Sequence, residues 1–235
     1  TYRAVLLLGT ETDTEDTTGA VLETKDTSGL TENEVRDAVC SFIGDYDQIP
    51  PMYSALKVDG KKLYELAREG KTVERKARPV KIFDIRIEKM ELPEVTMTVS
   101  CSKGTYIRTL CHDIGMKLSV GGCMKKLLRT KVGRFEIADS LTLTDLQKLK
   151  EEDRLAEAVL PVEEVFKELL EIRSDTEEMD KLLKNGNPFR SRAVKDVKNG
   201  DKFRVYHSDG TFIGVFKYDE EKHMYYPEKI FLGGN

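Results

Sequence analysis

The periodicity of this chain changes once, abruptly, between residues 80 and 110, and that change limits the folds open to it. Val80 to Lys89 alternates apolar and polar residues (Val80, Ile82, Ile85, Ile87), and Glu94 to Cys101 alternates again (Val95, Met97, Val99, Cys101). A period of two puts successive side chains on opposite faces of a strand. The intervening Leu92-Pro93 predicts a hairpin turn. Gly104 interrupts the pattern and a helical one begins at Thr105. Tyr106 and Arg108 therefore sit at a strand-to-helix junction, where free backbone N–H groups and the positive end of a helix dipole are found. Arg108 adds a permanent charge and a planar fork suited to a carboxylate or a phosphate.

The remaining elements extend this hairpin into an α+β fold. Tyr2 to Leu8 reads as a buried strand with Ala20 to Thr24 as its partner, the polar stretch Thr10 to Asp16 connecting them. Thr31-x-x-Glu34 is a capping box that opens an amphipathic helix (Val35, Ala38, Val39, Phe42, Ile43), with Gly44 as its end. Ile49 to Lys57 is a proline-stiffened entry to a short helix, Lys61 to Glu69, closed by Gly70. A further helix is expected near Glu157 to Leu170. From Ile172 the character changes: a helix over Asp175 to Leu183, a stop at Asn185-Gly186, then strands from Gly200 to Tyr218 turning at Ser208-Asp209-Gly210, and a last strand over Tyr225 to Leu232. The expected organisation is a larger α+β domain over 1–171, with a mixed, largely antiparallel sheet flanked by helices, and a small β-rich domain over 172–235.

Charge is segregated along the chain. Residues 1–48 hold eleven acidic side chains against three basic ones, residues 57–81 nine basic against four acidic, and residues 101–134 eight basic against Asp113 alone. Blocks of this kind are the footprint of a protein that receives a polyanion on one face, even though the net charge is −4. No stretch approaches the roughly 20 apolar residues of a membrane helix. No secretory signal pattern opens the chain, so a cytoplasmic location is expected. The chain begins with Thr rather than Met, and an upstream segment is expected. Cys40, Cys101, Cys111 and Cys123 show no C-x-x-C spacing and read as buried free thiols, and the three histidines have no paired ligand spacing, so no metal site is expected.

Four stretches in register then carry a resemblance. They are Tyr2-x6-Gly9-x2-Thr12-x-Thr14-x-Asp16-x2-Gly19, Pro51-x-Tyr53-Ser54-Ala55-x-Lys57-x2-Gly60-x2-Leu63-Tyr64-x3-Arg68-x-Gly70, Gly104-Thr105-Tyr106-Ile107-Arg108-x-Leu110, and Leu127-x-Arg129-x3-Gly133-x-Phe135. In this order the chain resembles the TruB family of tRNA pseudouridine synthases, and its tail (Leu183-x-Asn185-Gly186, Asp209-Gly210-x-Phe212-Ile213-Gly214) looks like the PUA-related domain of bacterial members. The resemblance implies an enzyme that converts the T-loop uridine of tRNA at position 55 to its C5-linked isomer, without cofactor or obligatory metal. It implies tRNA (T-loop and T-arm) as the partner, no obligate protein partner, and a monomer.

By the same resemblance Tyr2 matches the tyrosine that stacks on the flipped uracil. Tyr106 matches a second active-site tyrosine, and Arg108 the arginine that pairs with the catalytic aspartate. Leu127 matches an apolar wall of the base pocket and Asp16 an acidic residue nearby. Residues 50–78 match an RNA-gripping loop, with Tyr53, Lys57, Lys61, Lys62 and Arg68 as its contacts. Arg129 fits a Leu-Arg-Arg-Thr pattern in part, since Leu128 stands where the family has arginine. The catalytic aspartate lies in a Gly-Gly-Thr-Leu-Asp type of motif, and no Gly-Thr-Leu-Asp sequence occurs among the 235 residues. The chain by itself is thus expected to be inactive. The competing reading is a PUA-containing RNA-binding protein without catalysis. A methyltransferase is disfavoured because no glycine-rich cofactor loop follows a strand.

Overall fold

Alternation at Ala4, Leu6 and Leu8 makes β1 (Tyr2–Leu8), and those three side chains are 0–2% exposed. In the computed structural model, which describes residues 1–58 and 60–231, the chain divides into two compact units, Thr1–Ser140 and Leu141–Asn235.

In the first unit β1 is followed by β2 (Thr10–Thr12) and β3 (Val21–Thr24), then α1 (Glu32–Cys40) and β4 (Gly44–Gln48). A small pair, β5 (Lys57–Val58) and β6 (Lys61–Lys62), runs into α2 (Leu63–Arg68). The long hairpin comes next as β7 (Arg78–Glu91) and β8 (Glu94–Cys101), then α3 (Ile107–Lys117), β9 (Gly122–Arg129) and a short pair, β10 (Lys131–Val132) with β11 (Phe135–Glu136). The main sheet has the order β4-β7-β8-β1-β9, with every neighbouring pair antiparallel. Its core joins Ala4, Leu6 and Leu8 to Ile82 and Ile85 of β7, Val95, Met97 and Val99 of β8, Val35 and Val39 of α1, and Ile107, Leu110, Cys111 and Ile114 of α3. Each such aliphatic side chain, fully buried, contributes about 1.5–3 kcal/mol.

Several expectations are corrected here. Val21–Thr24 pairs with β2 and not with β1, because both edges of β1 are occupied by β8 and β9. Val21 and Leu22 are more than 60% exposed, so that strand has no core face of its own. Gly44 begins β4 with φ +117° instead of ending α1; the helix stops at Cys40 and tightens through Phe42 N–H to Val39 O and Ile43 N–H to Cys40 O. α2 starts at Leu63, since Lys61 and Lys62 are paired with Val58 and Lys57. Cys40 is exposed, not buried, being one step around the helix from the Val35–Ala38–Val39 face.

The second unit contains α4 (Leu143–Glu151), 3-10 turns at Leu155–Ala158 and Val162–Phe166, β12 (Leu170–Arg173), α5 (Glu177–Lys184), β13 (Lys202–Tyr206), β14 (Phe212–Asp219) and β15 (Met224–Ile230). The last four strands form one sheet in chain order, β12 parallel to β13 and the rest antiparallel. Its own core holds Ile172, Met179, Leu183, Phe189, Phe203, Val205, Ile213, Phe216 and Tyr225. No α-helix spans Glu157 to Leu170. Pro161 breaks the ladder of i to i−4 hydrogen bonds, and Val159, Val162 and Val165 are 46–64% exposed, so no buried stripe supports a helix. Of the strand expected over Tyr225 to Leu232, Leu232 lies outside the described residues. The expected boundary at 171/172 falls within this second unit.

Candidate functional site

The junction after β8 is built by a short chain of local constraints. Ser102 N–H donates to Lys81 O at 2.8 Å, and Ser102 Oγ accepts Lys81 N–H at 2.9 Å, carrying the β7–β8 pairing one residue further. Gly104 then takes φ +86°, a left-handed conformation that glycine adopts without steric cost. Thr105 Oγ1 donates to Ser102 O at 2.9 Å and closes the turn. Tyr106 becomes the N-cap of α3 with no side-chain cap of its own. In place of a cap, Gln48 at the end of β4 grips it: Gln48 Oε1 accepts Tyr106 N–H at 2.8 Å, and Gln48 Nε2 donates to Tyr106 O at 3.0 Å.

Arg108 lies in the first turn of α3 with its side chain 22% exposed. Its Nη1 donates to Thr14 O at 3.0 Å and to Asp16 Oδ2 at 3.2 Å, while Nη2 donates to Tyr53 O at 2.7 Å. Three sequence-predicted residues are thus brought into one constellation, although Tyr53 joins it through its backbone. Asp16 is held from the other side as well. Its Oδ1 accepts from Thr18 Oγ1 at 2.5 Å, Thr18 N–H at 3.0 Å and Thr14 Oγ1 at 3.0 Å. Partial burial alone would raise the Asp16 pKa; these hydrogen bonds and the Arg108 charge outweigh it and hold the carboxyl below its ordinary value.

Behind this pair is a second group of titratable side chains. Glu15, at φ +62°, turns away from Asp16 and accepts from Thr109 Oγ1 at 2.5 Å. Burial pushes its pKa up against the opposing effects of Thr109, His112 and Arg108. His112 Nδ1 lies 3.0 Å from Asp113 Oδ1, and this contact raises the imidazole pKa. Tyr46 donates to the other Asp113 oxygen, and its phenol is raised by burial and by that carboxylate. Among the described residues no three His, Cys, Asp or Glu side chains form a group able to hold a metal ion.

Tyr2 is half-buried at the start of β1, directly opposite Arg129 of β9, whose guanidinium carbon stands 5.3 Å from the ring centroid. Leu127 pairs with Ala4, so it shares a sheet face with Arg129 and Tyr2, and it is 44% exposed. The structure therefore joins Tyr2 to Arg129, with Leu127 beside them, and joins Asp16, Arg108 and Tyr53 through direct hydrogen bonds.

In the basic loop, Lys57 and Lys61 are exposed on the β5–β6 pair, and Lys57 makes no ion pair among the described residues. Lys61 lies 3.9 Å from Glu69. Lys62 Nζ and the Arg68 guanidinium stand 5.3 and 5.4 Å from the Tyr64 ring centroid. Gln48, Glu15, Thr18 and Thr109 were not marked by the sequence: no local motif shows that a residue at the end of one strand reaches a helix cap 58 positions later.

Comparison with known proteins bears on the family of the chain. Residues 1–107 match the model of the TruB family pseudouridylate synthase N-terminal domain, and residues 108–167 that of the tRNA pseudouridylate synthase B C-terminal domain. The chain is 45% identical over 215 residues to a tRNA pseudouridine synthase B of Clostridium tetani, covering 91% of this chain and 72% of that protein. It is 47% identical over 204 residues to one of Lachnoclostridium phytofermentans, covering 81% and 66%. Among solved structures, a chain of an H/ACA RNP bound to a substrate RNA containing 2'-deoxyuridine matches with TM-score 0.62 and 19% identity, over 99% of this chain and 65% of that one. A chain of a Cbf5-Nop10-Gar1 complex matches with TM-score 0.65 and 22% identity, over 98% and 66%. These two share the fold. This chain spans about two thirds to three quarters of the length of such relatives. Identity at this level over most of the chain, with both family models in sequence order, places it in the TruB family of pseudouridine synthases.

Proposed function

We propose that the protein isomerises the T-loop uridine at position 55 of tRNA to pseudouridine, taking the base out of the loop's stack, breaking its glycosidic bond and re-forming the link through C5. The observation that carries this reading is the state of Arg108. An arginine has five N–H donors; Nη1 spends two on Thr14 O and Asp16, and Nη2 spends one on Tyr53 O. Nε makes no hydrogen bond among the described residues, so Arg108 retains N–H donor capacity for a second carboxylate. In this reading that carboxylate is the nucleophilic aspartate of a Gly-Thr-Leu-Asp segment, a sequence these 235 residues do not contain. Arg108 keeps it ionised and aimed, and Asp16 keeps Arg108 in place.

Tyr2 stacks on the flipped uracil, steadied by Arg129, and Tyr106 and Leu127 line the pocket. Unstacking the base costs a few kcal/mol, which stacking and phosphate contacts offset. Tyr53, Lys57, Lys61, Lys62, Arg68 and Arg129 hold the RNA, and the C-terminal β-rich region acts as a PUA-like RNA-binding domain. The enzyme works as a cytoplasmic monomer without cofactor. No helix among the described residues is long and apolar enough to cross a membrane.

The test is tritium release from a T-arm hairpin labelled at C5 of uridine. The whole protein is expected to release it, while the 235-residue chain binds the hairpin without turnover. Release by the chain alone would overturn the assignment of the absent aspartate as nucleophile. Tight binding by the whole protein with no release would instead favour a non-catalytic RNA-binding protein, the reading that the missing Gly-Thr-Leu-Asp sequence keeps open.

A further inference from the structure

Gln48 occupies the neck of the basic loop and is 1% exposed. Its backbone pairs with Arg78 at the start of β7, so β4 and β7 close the base of the segment that carries Lys57, Lys61, Lys62 and Arg68. Its side chain points elsewhere, making the two hydrogen bonds to Tyr106 N–H and Tyr106 O at 2.8 and 3.0 Å. A primary amide offers a donor and an acceptor side by side, as a strand backbone does, so Gln48 holds the Tyr106 peptide groups as a neighbouring strand would. The Tyr106 carbonyl also receives Leu110 N–H at 3.1 Å, the first hydrogen bond of α3. The same loop entry is tied at two further points: Arg75 Nη1 donates to Pro50 O at 2.9 Å and Arg108 Nη2 to Tyr53 O at 2.7 Å.

We propose that Gln48 is a positioning residue that couples the loop to the pocket. RNA engaged by the loop moves or steadies its neck, and the buried amide passes that position to Tyr106 and, through the first turn of α3, to Arg108. The proposal rests on the pocket assignment made above. Removing the amide leaves a donor and an acceptor of Tyr106 without their buried partner and frees the cap to shift.

A carboxylic acid is the discriminating substitution. Protonated, Glu at this position has one donor and one acceptor and reproduces the amide pattern; ionised, it sets an oxygen charge against Tyr106 O. The titratable groups around it are the Tyr46 phenol, which the Gln48 side chain also approaches, and beyond that phenol the carboxyls of Asp113 and Glu15. Burial raises the pKa of Glu at this position, so the switch falls above the ordinary glutamate range. In the whole protein, Gln48→Glu is expected to turn over T-arm RNA close to the wild-type kcat at the acid end of the assay range and to lose activity as pH rises. Gln48→Met should be about 10- to 100-fold down in kcat at every pH, with its RNA dissociation constant within about threefold of wild type. A merely structural role would lower the melting temperature of both variants and leave the shape of the pH profile unchanged. Wild-type kcat in Gln48→Met, or a wild-type pH profile in Gln48→Glu, overturns the proposal. Amide exchange in the 235-residue chain decides the clamp without activity: Tyr106 N–H should be protected in wild type and exposed to exchange in Gln48→Met, and a fast-exchanging wild-type amide refutes it. Absence of turnover in the wild-type whole protein would fall on the functional reading alone.

Discussion

Glu15 and Asp16 are adjacent carboxylates that the fold shifts in opposite directions. Asp16 is depressed, so its contribution to stability is present above its unfolded pKa of about 3.9 and is lost as pH falls through the lower folded value. Asp16→Asn is expected to destabilise the chain by about 1–3 kcal/mol at pH 7, because it removes a charged acceptor from Thr14, Thr18 and Arg108. Urea melts should show that difference shrinking toward pH 2. Glu15 is raised by burial, which reverses the sign: ionised Glu15 opposes folding, and stability falls as pH rises from its unfolded pKa of about 4.3 through the higher folded value. Glu15→Gln keeps an acceptor for Thr109 and removes the buried charge. It should melt above wild type at pH 7 and converge with it at pH 4, as thermal unfolding across that range would register. A lower melting point at pH 7 would mean that the attraction of His112 and Arg108 exceeds the burial penalty.

At the scale of elements, α3 carries Arg108 and is seated by one close approach. A Cβ on Gly115 would stand 2.2 Å from the Gly121 carbonyl carbon and from Gly122 N, both backbone atoms that have little room to yield. Alanine for glycine in a helix normally gains about 0.8–1.0 kcal/mol, but here the clash is expected to reverse the sign. Gly115→Ala should lose about 1–3 kcal/mol or more in denaturant melts, and any gain would show that β9 can retreat from α3. The capping box of α1 follows simpler rules. Glu34 Oε2 accepts Thr31 N–H at 2.9 Å and Thr31 Oγ1 accepts Glu34 N–H at 3.3 Å. Thr31→Ala should cost about 0.5–2 kcal/mol in the same melts, and no loss would show that the cap is redundant.

For the whole molecule the charge blocks set how binding responds to salt. Lys57 is exposed and has no ion pair among the described residues, whereas Lys61 faces Glu69, itself held by Lys71 at 2.7 Å. A cation that no acidic side chain among the described residues offsets gives its full charge to a phosphate. Lys57→Ala is therefore expected to weaken T-arm binding and to reduce the slope of log K against log salt by about 0.7–0.9, with a smaller loss for Lys61→Ala. Anisotropy titrations over a series of salt concentrations measure both, and an unchanged slope removes Lys57 from the RNA contacts.

What the sequence determined alone was whatever a local pattern enforces. The β7–β8 hairpin, the turn at Gly104 into α3, the α1 cap and the Ser208-Asp209-Gly210 turn follow from alternation, glycine and capping chemistry within a few residues. The family motifs also singled out Arg108 and Asp16, though not their contact. Tertiary structure decided the rest, because it depends on residues far apart in the chain. β9 has no clean alternation, and its place comes from pairing with β1 across more than a hundred residues. Val21–Thr24 was excluded from the main sheet because both edges of β1 were already taken. The grip of Gln48 on Tyr106 exists only where the sheet order sets the end of β4 beside the start of α3, since a hydrogen bond is fixed by distance and angle in space and leaves no period in the sequence.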